Sequence, residues 1–276
     1  MTDTLGPPPA AQAEATADDV DTYEGTGGGP RPTQAQRIVT PRDAVLPIVL
    51  VLTLVALYTW VQGQTLDNIS VNILDTGAII SATVEHIYIA FTIAVLVVLI
   101  AVPMGVLVTR DRTKFLAPIV LGIANFGQAA PSLGLLALVG IYYTGFWAVV
   151  LILTGYALLS VLRNTIAGLQ QVDKGVLDAA KGMGMSPVAV LLRVELPLAV
   201  PIIGAGARTA LILAVATVPL GAFLNAGGLG QQLIASIKTD RAAATLAIAV
   251  IIAVLALFLD WLASILQRAA TPRGVR

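Results

Sequence analysis

The chain has 276 residues, 57% of them apolar and only 12% charged, with a mean hydropathy of +0.87. A soluble domain carries about 25% charged residues, so a soluble enzyme is excluded and an integral membrane protein is expected. Sixteen basic and sixteen acidic residues leave no net field for nucleic acid, and with no cysteine and only His86, disulfides, thiolate chemistry and multi-histidine metal sites are excluded too.

Residues 1–43 are rich in Pro, Gly, Ala, Thr and acids, with hardly a large apolar side chain. Such a segment cannot bury enough surface to offset its ordering entropy, so a disordered cytoplasmic tail is expected. It lacks the basic start and apolar h-region of a signal peptide. Beyond it, residues 44–66, 87–109, 115–162, 209–237 and 242–259 contain no Asp, Glu, Lys or Arg. A helix needs about 20 apolar residues to cross a bilayer core. Six crossings are expected, at 44–61, 84–109, 116–139, 146–169, 198–224 and 242–266. Backbone groups in lipid must satisfy one another, and no period-two pattern indicates a barrel, so the crossings are helices. The fold class is an all-α integral membrane protein, with a transmembrane domain at 44–267 and a short basic tail at 268–276.

Polar residues within the crossings are candidate pathway positions, because they are costly in lipid. Glu85 and His86 sit at the outer edge of crossing two, where His86 reads as an interfacial histidine. Crossing three carries Asn125, Gln128, Pro131 and Ser132, with Gly127 and Pro131 weakening its middle. Two readings stand: a broken helix lining a cavity, or a tolerated kink whose amides bond to neighbours. Crossing five carries Thr217, Pro219 and Asn225 before Gly227-Gly228-Leu229-Gly230. This is either an external gate segment or a turn with a re-entrant loop. Arg208 reads as the one charge well inside a crossing, pairing with Asp260 or Glu195 or snorkelling to the interface. Tyr58, Trp60, Tyr142, Tyr143 and Trp147 read as an aromatic belt at the outer interface. Lys and Arg cluster before crossing one and after crossings two, four and six. By the positive-inside rule, both termini are cytoplasmic in the inner membrane.

The cytoplasmic segment 170–197 is longer than a hairpin needs. Asp173 can cap a short helix running through Ala180. Gly182 and Gly184 then break it. Ser186-Pro187 starts a second short helix, with serine as cap and proline at its first position. Pro197 closes that piece before crossing five.

The run Asp178-Ala179-Ala180, three residues, Gly184, nine residues, Val194-Glu195-Leu196-Pro197 resembles the EAA loop of ABC importer permeases. That pattern reads Glu-Ala-Ala, three residues, Gly, nine residues, Ile, any residue, Leu-Pro. Asp178 replaces the glutamate and Val194 the isoleucine. The resemblance extends over about 84–266, through Pro103-Met104-Gly105, Ala130-Pro131-Ser132-Leu133, Leu162-Arg163-Asn164-Thr165 and Ala207-Arg208-Thr209-Ala210. It is nearest to the branch importing glycine betaine, choline, carnitine or proline betaine, with methionine permeases sharing fold and loop. It implies a type I, methionine-permease-like fold with a coupling helix formed by Asp178, Ala179, Ala180, Gly182, Gly184, Met185 and Ser186. It also implies an ABC ATPase dimer holding ATP and Mg, a second copy or sister permease, and an extracytoplasmic solute-binding protein. The chain itself carries no phosphate loop ending in Gly-Lys-Ser/Thr, so no catalytic residue is assigned. An ion-coupled secondary transporter would need an ionisable residue at midplane, for which Arg208 is the only candidate.

Overall fold

In the computed structural model, residues 41–270 are described. The expected tail, up to residue 40, and the last six residues lie outside them. Contacts divide the chain into Met1–Gln36, also outside them, and Arg37–Arg276. Pro41–Ala44 form a short 3-10 turn that leads into α1 (Val45–Gln62). α1 is followed by α2 (Asn68–Ile73) and α3 (Thr76–Thr109). α4 (Ala117–Ala129) and α5 (Ser132–Gly140) form the third crossing, and α6 (Phe146–Gln170) the fourth. α7 (Lys174–Gly182) and α8 (Pro187–Val190) form the loop. α9 (Leu196–Thr217), α10 (Leu229–Lys238) and α11 (Ala242–Ala270) complete the described chain. Among the described residues five helical spans are long and apolar enough to cross a membrane, and six if the bent pair α4–α5 is counted as one span.

α3, α6 and α9 form the centre. They approach closely because small residues stand at their contacts, the usual device where lipid offers no hydrophobic drive. A Cβ on Gly105 of α3 would sit 2.5 Å from the Thr165 methyl of α6, and one on Gly206 of α9 would sit 2.7 Å from Asn164. Ile89, Ile93, Leu153 and Leu162 are fully buried there. α11 packs on α9, and α1 lies outermost against α11. Only 6% of α1's residues are buried. Its entry is pinned where Arg268 meets the Asp43 carboxylate at 2.9 Å and the Trp261 indole donates to the Asp43 carbonyl at 2.8 Å.

Several expectations need correction. Crossing two begins at Thr76, not 84, because Asp75 caps the helix by accepting from the Ala78 amide at 2.9 Å. His86 is therefore three turns inside α3 and fully buried, not interfacial. Pro197 does not close the loop piece. α8 passes through one π-helical turn, Leu191–Glu195, into α9, and the widened turn accommodates a proline that lacks an N–H. Crossing five then ends in a 3-10 segment, Val218–Leu224. α11 continues to Ala270, so Arg268 is helical rather than part of a tail. Neither α2 nor α10 is expected from the sequence. α2 forms because Asp67 accepts from the backbone N–H and hydroxyl of Ser70.

Candidate functional site

The loop between crossings four and five folds as an exposed elbow. Asp173 caps α7, accepting from the Val176 amide at 3.2 Å. The helix runs to Gly182, two residues past the expected end at Ala180. Gly184 then adopts φ +81°, a left-handed turn that L side chains resist. Ser186 caps α8 through the Ala189 amide at 3.3 Å, with Pro187 at the first position as expected. Asp178, Ala179 and Gly182 are exposed, Met185 is half-buried, and Ala180 faces inward. Asp178 pairs with Lys181 at 3.4 Å in solvent, a contact of little energetic weight. Val176, Met183, Val188 and Leu192 add exposed apolar surface around the corner. Small residues over such a surface let another protein approach closely.

The elbow is stitched to the rest of the bundle at its base. Arg110, at the end of α3, makes a two-pronged ion pair with Glu195 at 3.1 and 2.5 Å. Such charge-assisted pairs fix orientation as well as distance. Glu195 is buried. A cavity of about 550 Å³ lies beneath the elbow, lined by Arg110, Lys174, Leu177, Met185 and Glu195 among others. The pair ties the base of the elbow to the end of α3, and Glu195 leads directly into α9.

Crossing three is broken. The segments Lys114–Ala129 and Ser132–Gly140 meet at 87°, with Ala130 extended and Pro131 at the corner. Pro131 and Ser132 stand at the corner itself, and Gln128 and Asn125 precede it in the last turns of α4. Pro131 has no N–H, so the Gly127 carbonyl loses its helical partner, and no other hydrogen bond reaches it among the described residues. No side chain caps α5. Asn125 and Pro131 are exposed on the chain's surface. Arg163 of α6, also exposed, donates to the Asn125 amide oxygen at 2.7 Å.

The other expected positions sit at the far end of crossing five. The Thr217 hydroxyl bonds back to the Leu213 carbonyl at 2.8 Å. Asn225 takes the left-handed conformation (φ 57°) that ends the 3-10 segment. Neither is hydrogen-bonded to the corner of crossing three among the described residues. The 3-10 segment does pack on α5, where Leu224 meets Gly140. Pro219 lacks the N–H that would serve the Val215 carbonyl, and His86 Nε2 donates to that carbonyl instead, at 3.0 Å. Glu85 accepts from the Gly228 amide at 3.0 Å, holding the Gly227-Gly228 turn against α3. Arg208 pairs with Asp260 through two bonds, at 2.5 and 2.7 Å, so that of the three readings for Arg208 the pairing with Asp260 holds.

The family model for binding-protein-dependent transport system inner membrane components matches residues 101–272. The chain belongs to that family. The permease is 36% identical to the choline transport system permease protein OpuBB of Bacillus subtilis over 201 residues, covering 72% of this chain and 92% of that protein. It is 34% identical to the osmoprotectant import permease protein OsmW of Salmonella typhimurium, covering 76% and 100% respectively. A carnitine transport permease protein, OpuCB of Listeria monocytogenes, is 32% identical over 195 residues, covering 70% of this chain and 88% of that protein. A solved structure of the MetNI methionine ABC transporter, inward-facing, superposes with a TM-score of 0.63 at 24% identity. It covers 71% of this chain and 97% of that one. The fold is therefore that of a type I ABC importer permease, multi-pass in the membrane.

Three features of the permease escape a reading of its sequence. Arg163 lies within the expected span 146–169, yet Arg208 alone is read as a charge well inside a crossing; α6 continues two turns beyond Arg163. Arg110 and Glu195 are 85 residues apart, and nothing local announces their pairing. The depth of His86 is hidden because crossing two is read from 84, leaving 76–83 outside it until Asp75 is recognised as a helix cap.

Proposed function

We propose that this permease is the membrane-spanning subunit of an ATP-driven importer for osmoprotectants of the glycine betaine, choline and carnitine class. The observation that carries this reading is the exposed elbow with its glycine corner, in a chain about a third identical to permeases named for choline, carnitine and osmoprotectants. An ABC ATPase dimer docks on Asp178, Ala179, Ala180, Gly182, Gly184, Met185 and Ser186. ATP and its Mg ion belong to that partner, so this chain is not itself an enzyme. A second copy or a sister permease completes the pathway, and an extracytoplasmic binding protein delivers the solute. The positive-inside rule, applied to the basic clusters beside the elbow, supports a cytoplasmic side for it and for both termini. Asn125, Gln128, Pro131, Ser132, Thr217 and Asn225 are the proposed pathway residues.

Only differential binding can drive a conformational change. The ATPase must therefore hold the elbow differently in its two nucleotide states, and the Arg110–Glu195 pair carries that difference to α3.

The test is uptake of labelled glycine betaine and choline by proteoliposomes. They contain the permease with and without its ATPase, internal ATP and binding protein. Uptake only by the full set is expected. Uptake by the permease alone would establish a secondary transporter instead. Gly184→Asp puts bulk and charge at a left-handed position on the docking surface. It should insert normally yet lose ATPase recruitment and uptake, and retained uptake would sink the docking assignment.

A further inference from the structure

The arginines of the bundle are not treated alike. Arg110, Arg208 and Arg268 each face a carboxylate, of Glu195, Asp260 and Asp43 respectively. Arg163 faces none among the described residues. Its partner is the neutral Asn125 amide. That amide holds the guanidinium in place and leaves its charge uncompensated.

The position matters as much as the pairing. Arg163 is seven residues from the end of α6, about 10 Å along the helix. Asn125 is eight residues from the start of α4, about 12 Å along it. Both side chains are exposed on the surface of the chain. Six residues beyond Asn125, nearly two turns further in, lies the Pro131 corner, with its unserved Gly127 carbonyl. A guanidinium, an amide and a bare carbonyl at this depth are costly against hydrocarbon, so this face is turned from lipid, toward the second permease copy and the path between the two. The planar fork of an arginine matches a carboxylate, which it binds through two parallel bonds.

We propose that Arg163, held by Asn125, is the point in the translocation path that receives the carboxylate of a zwitterionic solute, so that the permease favours solutes bearing one over choline, which lacks it. This rests on the solute class proposed above. The quaternary ammonium end then points away from the guanidinium, toward the Pro131 corner and its free carbonyl.

The complete transporter, reconstituted in proteoliposomes, tests this with labelled glycine betaine, choline and methionine in parallel. Arg163→Gln should lower the betaine-to-choline ratio of initial uptake rates about tenfold, the worth of one charge-assisted contact. Asn125→Asp should lower the same ratio while keeping the arginine, because it supplies a carboxylate from within the chain. Arg163→Lys, which keeps the charge, should recover part of the ratio. An unchanged ratio in both Arg163→Gln and Asn125→Asp overturns the proposal. So does a parallel loss of both solutes, which marks a structural role. A betaine-to-choline ratio that follows vesicle lipid charge in the parent but not in Arg163→Gln assigns the guanidinium to a lipid phosphate and overturns it too. A parent that moves methionine but neither betaine nor choline refutes the osmoprotectant reading alone, and a fall in methionine uptake in Arg163→Gln then still supports the carboxylate site. A parent that moves only choline refutes the site.

Discussion

Crossings three and five are both interrupted by proline, and the structure treats them in opposite ways. In crossing five the break at Pro219 is served by a neighbour. His86 of α3 donates to the Val215 carbonyl that Pro219 leaves without a partner. The span stays continuous from Pro187 to Leu224. In crossing three the Gly127 carbonyl has no such partner, and the chain turns through 87°. The same residue type makes a packed joint in one place and an open corner in the other.

The largest effect expected from this contrast is at Gly230. A Cβ there would collide with the Pro219 backbone, 2.6 Å from its Cα. Gly230→Val should cost about 4 kcal/mol, read as loss of folded yield and a lower melting temperature in detergent. No such loss would mean that the 3-10 segment is not a fixed joint. His86→Leu is next. It leaves the Val215 carbonyl buried without a donor, for about 2 kcal/mol. Adding Pro219→Ala restores a backbone N–H, so the double variant should regain most of that loss, and a purely additive double variant would refute this account of His86.

Pro131→Ala should change stability by less than about 1 kcal/mol, since the corner leans on nothing that the proline supports. It should lower uptake all the same, by letting crossing three straighten. A large drop in melting temperature with normal uptake would reverse the distinction between joint and corner. The smallest effect concerns α2, whose cap Asp67 also pairs with Arg241 at 2.8 Å. The Ser70 hydroxyl and N–H, and then Arg241, hold its carboxyl below the ordinary carboxylate range. A depressed folded value means stabilisation that is complete above the unfolded value and lost as pH falls through the folded one. The hydrogen-exchange protection of α2, corrected for the intrinsic pH dependence of exchange, should therefore be flat from neutrality down to the ordinary carboxylate range and fall only below it. Asp67→Asn should abolish that dependence.

Much of this was legible beforehand. The charge-free runs located the crossings, and local chemistry gave the elbow, because Asp173, Gly184 and Ser186-Pro187 act on their nearest neighbours in the chain. The Gly127 and Pro131 pair announced weakness in crossing three. It did not say whether a neighbour would serve the freed carbonyl, which depends on what α6 presents opposite. The same limit hid the partners of Glu195, Glu85 and His86, all of them long-range. α10 escaped because its start, Leu229-Gly230-Gln231-Gln232, reads as a continuation of the glycine turn.

The first crossing carries a consequence of its own. α1 is pinned near its entry by Asp43 and leans on α11, while a groove of about 490 Å³ opens between α1, α3 and α11, lined by Leu50, Leu54, Ile79, Leu255 and Phe258 among others. Acyl chains, not side chains, are the natural filling for such a wedge. α1 is then an outrigger, held to the bundle at its entry and otherwise bordered by lipid rather than by protein.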